Sequence, residues 1–132
     1  NVIVLRLKPA EDLKECLQAV TTERAIAAGI ILTGIGSLER AALRLAGSSS
    51  STVFDRRFEI VSLSGTLSPD GLHVHVAIAD ETGQMLGGHL VPGCQIATTA
   101  EIAIGVCSEL TFSRPVDDVT GFRELAIASK QS

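Results

Sequence analysis

Apolar and polar residues alternate from Val2 to Lys8, with Val2, Val4 and Arg6 against Ile3, Leu5 and Leu7, which predicts a first strand. Pro9 stops that strand and suits the entry to a helix. From Glu11 to Ala28 the apolar positions Leu13, Cys16, Leu17, Val20, Ala27 and Ala28 recur at helical spacing. Gly29 is the expected stop, and Thr21-Thr22 is a point where the stretch can divide into two helices. Ile30-Ile31-Leu32-Thr33 and Ala41 to Leu45 are strand-like, and the serine-rich Gly47 to Thr52 reads as an exposed loop. Arg57 to Leu67 predicts a long alternating strand, Ser68-Pro69-Asp70-Gly71 a hairpin turn, and Leu72 to Asp80 its partner. Glu81-Thr82-Gly83 turns again, and Gly87 to Gly93 is expected to be a glycine-bracketed loop. Cys94 to Phe112 reads as one long strand or a bent pair ended by Arg114-Pro115, and Phe122 to Ala128 as the last strand. One strand, a helical segment and then many strands with short turns give an α+β fold with a largely antiparallel sheet.

Gly34-Ile35-Gly36-Ser37 is not a dinucleotide loop, because Glu39 stands where the third glycine belongs and a strand-like run follows. Two glycines in such a run mark a bulge or a close backbone approach.

A length of 132 residues fits one domain across residues 1–132, with neither repeats nor linkers. Hydrophobic residues make up 45% of the chain, and the mean hydropathy is +0.34. So apolar a surface on so small a domain predicts burial in a subunit interface. The net charge of −4 and eleven scattered Lys and Arg argue against autonomous DNA binding. With four Phe and neither Tyr nor Trp, platforms for stacking bases are nearly absent. Cys16, Cys94 and Cys107 lack CxxC spacing and read as buried free thiols in a reducing compartment. The chain opens straight into a strand and has no membrane-length apolar run, so a cytoplasmic location and no membrane partner are expected.

The chemistry concentrates in the three histidines, His73, His75 and His89. On a strand, residues two apart share a face, so His73 and His75 lie about 6–7 Å apart along the chain. Leu72, Val74, Val76 and Ile78 take the opposite, core-facing side, while Ala77 and Ala79 leave room beside the rings. Two such imidazoles can converge on one ion at Zn–N distances of about 2.0–2.1 Å, with His89 reaching in from its loop as a third ligand. Three nitrogen ligands and an open fourth position form a pattern that Zn²⁺ adopts when it must also hold water or substrate. The alternative is that the rings bond to backbone or to a neighbouring subunit and merely fix a turn. Glu59, Asp80 and Glu101 are the carboxylates considered for supporting the ligands or moving a proton. No Gly-x-Ser-x-Gly turn and no Cys near a His in sequence supports a nucleophile, so catalytic residues stay unassigned.

Arg57-Phe58-Glu59-Ile60-Val61-Ser62-Leu63-Ser64-Gly65, Gly71-Leu72-His73-Val74-His75-Val76, Gly87-Gly88-His89-Leu90 and Thr98-Thr99-Ala100-Glu101 together resemble the PPC (plants and prokaryotes conserved) domain over nearly the whole chain. The resemblance implies a central, mainly antiparallel sheet flanked by helices and assembled as a homotrimer. It also implies a metal at the histidines in some members. In plants the domain follows AT-hooks in nuclear DNA-binding proteins, and the stretch matching Arg57, Phe58, Glu59 and Ile60 is implicated in contacting transcription factors. This chain has no Arg-Gly-Arg-Pro hook core and reads as the stand-alone prokaryotic type, and Arg56 replaces the plant glycine. Two functional readings stand side by side. One is a trimeric module with a DNA-associated or regulatory role; the other is a Zn-dependent enzyme acting on a small molecule.

Overall fold

The computed structural model describes residues 1–130; residues 131 and 132 of the expected single domain lie outside the described residues. The elements are β1 (Val2–Leu7), α1 (Leu13–Glu23), β2 (Gly29–Arg44), β3 (Ser51–Phe54) and β4 (Phe58–Ser68), followed by β5 (Gly71–Ala79), β6 (Met85–Leu90), β7 (Gln95–Val106), β8 (Leu110–Ser113) and β9 (Ala126–Ser129). Seven strands form one sheet in the order β1-β7-β2-β4-β5-β6, with β3 added on β2. Every pairing is antiparallel. β2 also pairs with β6, so the path β2-β4-β5-β6 closes on itself, while β8 and β9 form a separate hairpin.

The alternation of β1 places Leu7 in the core and leaves Val2 and Val4 outside. Leu13, Leu17, Val20 and Thr21, at helical spacing, bury one face of α1 against the sheet. Asp12 caps this helix by accepting from the Glu15 N–H and, through its other oxygen, from the Gly93 N–H. The cap thereby ties α1 to the turn that launches β7.

Four expectations change. The described residues contain one helix, not several flanking ones. It stops at Glu23, well before Gly29, because Ala25 takes φ 49° while Ile26 N–H reaches the Thr21 carbonyl and Ala25 N–H that of Thr22. This is the double-bonded helix end usually assigned to glycine, and buried Ile26 anchors it. Strand pairing also recruits residues expected in loops: Ser51 and Thr52 join β3, and Gly87-Gly88-His89 lie inside β6. Lastly, the run from Cys94 divides into β7 and β8, which do not pair with each other, and the last strand starts at Ala126 instead of Phe122. The Pro69-Asp70 turn joins β4 to β5 as expected. Gly34 and Gly36 sit in β2, where Leu63 and the Thr99 carbonyl leave no room for a Cβ.

Gly65 on β4 has φ 154°, and a Cβ there would run into the His73 carbonyl of β5. Gly65→Ala is expected to lower stability by about 2 kcal/mol through backbone strain and loss of this close pairing. A urea midpoint equal to that of the parent would show that β4 and β5 do not approach so closely.

Candidate metal centre in a cross-strand histidine hollow

Two strands carry the three histidines. In the β4–β5 register Thr66 faces His73 and Ser64 faces His75. In the β5–β6 register His75 faces His89, and β2 then places Arg44 opposite His89. Directly opposed residues project from the same face, so Ser64, His75, His89 and Arg44 form a row across the sheet, with His73 one step along β5. Val74, Val76 and Ile78, between and beyond the histidines, are buried on the other face.

His89 is therefore held in a strand and does not swing on a loop. Gly87 and Gly88 are not a hinge: a Cβ at Gly87 would stand 2.6 Å from the Val76 carbonyl, and one at Gly88 2.8 Å from that of Arg44. Their absent side chains let β6 sit between β5 and β2.

Ring centroids lie 4.9 Å apart for His73 and His75, 5.3 Å for His73 and His89, and 5.7 Å for His75 and His89. The two Nε2 atoms of His73 and His75 are 3.2 Å apart, and one ligand nitrogen from each ring falls within 4.8 Å of the others. Two nitrogens bound tetrahedrally to Zn²⁺ stand about 3.3 Å apart, so this first pair already has the required spacing. Burial, then His75 and Arg114, lowers the His73 pKa. Burial, then Arg44, brings that of His89 down to about 4. Both rings are neutral at pH 7, the form in which imidazole binds a metal. The donor set therefore fits a divalent ion of the zinc type.

The rings open into a hollow of about 1110 Å³. One wall is the 44–49 segment; the other comes from the turn at Asp70 and from Arg114, Phe122, Arg123 and Glu124 around the β8–β9 hairpin. None of these side chains was singled out for chemistry from sequence. Arg114 next to Pro115 reads only as a strand stop, and Arg44 carries no motif; tertiary pairing alone brings them to the histidines.

The carboxylates chosen from sequence are elsewhere. Glu59, Asp80 and Glu101 are absent from the hollow's lining. Asp80 accepts from Thr82, Gln84 and Arg56, bonds that fix the β5–β6 turn and hold its carboxyl down to about 2, the Thr82 hydroxyl foremost. Glu59 is exposed opposite Ala79, and Glu101 is exposed between Arg6 and Ile35. Of the partner-contact stretch, Phe58 and Ile60 are core residues, leaving only exposed Arg57, 3.5 Å from Glu39, and Glu59 at the surface. All three cysteines are free. Burial pushes Cys94 to about 11, and burial with the Glu11 carboxylate does the same to Cys16, so neither offers a thiolate.

Because the folded His89 pKa lies below the ordinary 6.5, the unfolded chain binds more protons between about pH 4 and pH 6.5. This contribution to stability is fully present above about pH 6.5 and is lost as pH falls through about 4. NMR titration of metal-free protein is expected to place the His89 midpoint near 4, and His89→Gln to flatten the acid limb of the stability profile. A midpoint near 6.5 would refute this.

Comparison with known proteins agrees with this architecture. The curated relatives "Bifunctional protein GlmU" of two Synechococcus strains are 47% identical over 127 residues, which cover 96% of this chain but 20% of theirs. The chain thus spans about a fifth of the length of those relatives. A hypothetical protein from Salmonella cholerae-suis is 40% identical and superposes with a TM-score of 0.97, covering 99% of this chain and 95% of its own. A Bacteroides thetaiotaomicron structure described as a candidate DNA-binding protein is 25% identical, with a TM-score of 0.85 over 96% of this chain and 91% of its own. The metal-containing protein AF0104 of Archaeoglobus fulgidus, 24% identical, shares the fold with a TM-score of 0.81 over 96% of this chain and 93% of its own. Residues 1–108 match the family described as the Plants and Prokaryotes Conserved (PCC) domain, and this chain belongs to that family.

Proposed function

We propose that the hollow binds one divalent metal ion, Zn²⁺ by its donor set, through His73, His75 and His89, and admits a small molecule beside it. The observation that carries this reading is the convergence of three ring nitrogens within 4.8 Å at the floor of an open hollow. The metal-containing Archaeoglobus protein of the same fold supports it. A zinc-type ion at three neutral nitrogens supplies Lewis-acid polarisation and lowers the pKa of a bound water to about 7. The chain's own contribution is to hold the rings in register across two strands, with no thiolate in the hollow's lining to close the coordination shell. Of the two carboxylates lining the hollow, Asp70 is engaged with the Arg114 N–H, which leaves exposed Glu124 to accept a proton from a molecule bound there; Glu59, Asp80 and Glu101 are not in the lining. This favours the metal-dependent, small-molecule reading over direct DNA binding. The arginines of the hollow share it with Asp70 and Glu124, and the chain as a whole carries −4.

Assembly as a homotrimer belongs to the same proposal. Val2 and Val4 on β1 are 61% and 74% exposed, and Leu32 and Ile35 on β2 are 52% and 51% exposed. Ile30 and Leu32 pack over Gly105, where a Cβ would stand 3.3 Å from each of their side chains. Such a face is suited to burial against further copies of the chain. No helix among the described residues is long and apolar enough to cross a membrane.

Protein purified without a histidine tag is expected to bind one Zn²⁺ per chain by elemental analysis. His75→Ala should weaken this at least about a hundredfold, more than the loss of a supporting residue costs. Equal metal content in the variant and its parent would overturn the assignment. In sedimentation the parent should run at three times 13.8 kDa, and Val4→Glu with Leu32→Glu should shift it to a single chain. A monomeric parent would remove the trimer.

A further inference from the structure

Arg114 follows β8 and is 7% exposed, yet among the described residues no carboxylate forms an ion pair with its guanidinium. Among the described residues the ion pairs are Arg56–Asp80 and Arg57–Glu39. Its guanidinium donates from Nη2 to the Thr66 hydroxyl at 2.9 Å and from Nη1 to the Arg123 carbonyl at 3.3 Å. Of its other N–H groups, the one on Nε is buried and unpaired among the described residues. Asp70 accepts from the Arg114 backbone N–H at 3.0 Å, so that carboxylate positions the residue without pairing with its charge. A buried guanidinium with an unpaired donor and no ion-paired carboxylate is costly, and such a group calls for a water, an ion or a ligand to complete it.

Its place in the sheet says which ligand. Thr66, which holds the guanidinium, lies opposite His73, and Arg44 lies opposite His89. Two arginines, the buried Arg114 and the exposed Arg44, thus flank the histidine cluster from different sides, in a hollow that Arg123, Asp70 and Glu124 also line. Three neutral imidazoles would leave both charges of a divalent ion uncompensated, which adds to the same demand. Phe122, 73% exposed at the same hollow, offers an apolar surface for the body of a ligand.

We infer that the hollow takes a small organic anion whose oxyanion head, a carboxylate or a phosphate, is bound by Arg114 and Arg44 beside the histidines. Guanidinium groups suit both heads, since each presents paired oxygens to a planar fork of N–H donors. The inference rests on the metal-centred reading for the head's second contact, but the arginines bind the anion without the ion as well. Arg114, Phe122 and Arg123 lie beyond residues 1–108 matched by the family. The segment after residue 108 thus adds Arg114 and Phe122 to a hollow whose histidines and Arg44 lie within the family match.

The test follows the Arg114 Nε–H resonance during titration with inorganic phosphate and with benzoate at constant ionic strength, in metal-free and Zn²⁺-loaded protein. At least one anion is expected to shift that resonance saturably in both forms, with at least about tenfold tighter binding in the loaded form. Whichever binds tighter identifies the head group. Arg114→Gln should lose at least tenfold in anion affinity and keep one Zn²⁺ per chain, and Thr66→Val, which frees the guanidinium without removing it, should weaken anion binding less. An unshifted Nε–H, or equal anion affinity in parent and Arg114→Gln, overturns the inference. Failure of the metal reading is separately visible as absence of Zn²⁺ uptake, and the metal-free titration then still decides.

Discussion

The closeness with which three backbones lie side by side governs everything at the histidine cluster. β6 fits between β5 and β2 because Gly87 and Gly88 present no Cβ to the Val76 and Arg44 carbonyls. That fit closes the strand path and faces His89 with His75 on one side and Arg44 on the other. A one-residue slip would send His89 to the opposite face and dissolve the cluster. Gly65, pressed against the His73 carbonyl, performs the same service between β4 and β5. The glycines near the histidines act as spacers of zero thickness, and a rigid sheet replaces the mobile loop that their sequence invites one to expect.

Electrostatics and packing then cooperate. Partial desolvation and neighbouring guanidinium groups favour the neutral form of His73 and His89, so these rings are poised as ligands. The same arginines make the hollow receptive to negative charge in a chain that is acidic overall. Asp70 shows how finely this is divided: it orients the Arg114 backbone while its carboxylate stays out of ion-pairing distance of the guanidinium. Arg114 and Arg123 brace the two limbs of the hairpin through reciprocal bonds to carbonyl oxygens at 3.3 Å, and the bonds of Arg114 to Thr66 and Asp70 tie it to the sheet.

Membership of the PCC family accounts for the sheet and the histidines, since residues 1–108 contain β1 to β7 and the whole triad. The β8–β9 hairpin adds the second wall. In the Synechococcus relatives the matching region is a fifth of a longer protein, where the domain is one part among others.

Sequence by itself determined most of the elements and the pair of imidazoles on β5, because strand alternation is a local property with a period of two residues. The hairpin at Pro69-Asp70 and the inward set Val74, Val76 and Ile78 follow from the same local rule. The helix end at Ala25 was hidden, since its cap depends on Ile26 finding a buried seat that no local pattern reveals. Tertiary structure alone decided that His89 stands in a strand, that Arg44 and Arg114 reach the histidines, and that Glu59, Asp80 and Glu101 do not. The physical reason is register: which residues meet across a sheet is set by glycine-permitted backbone contacts between segments far apart in the chain, and a single strand's own pattern carries no record of its partner.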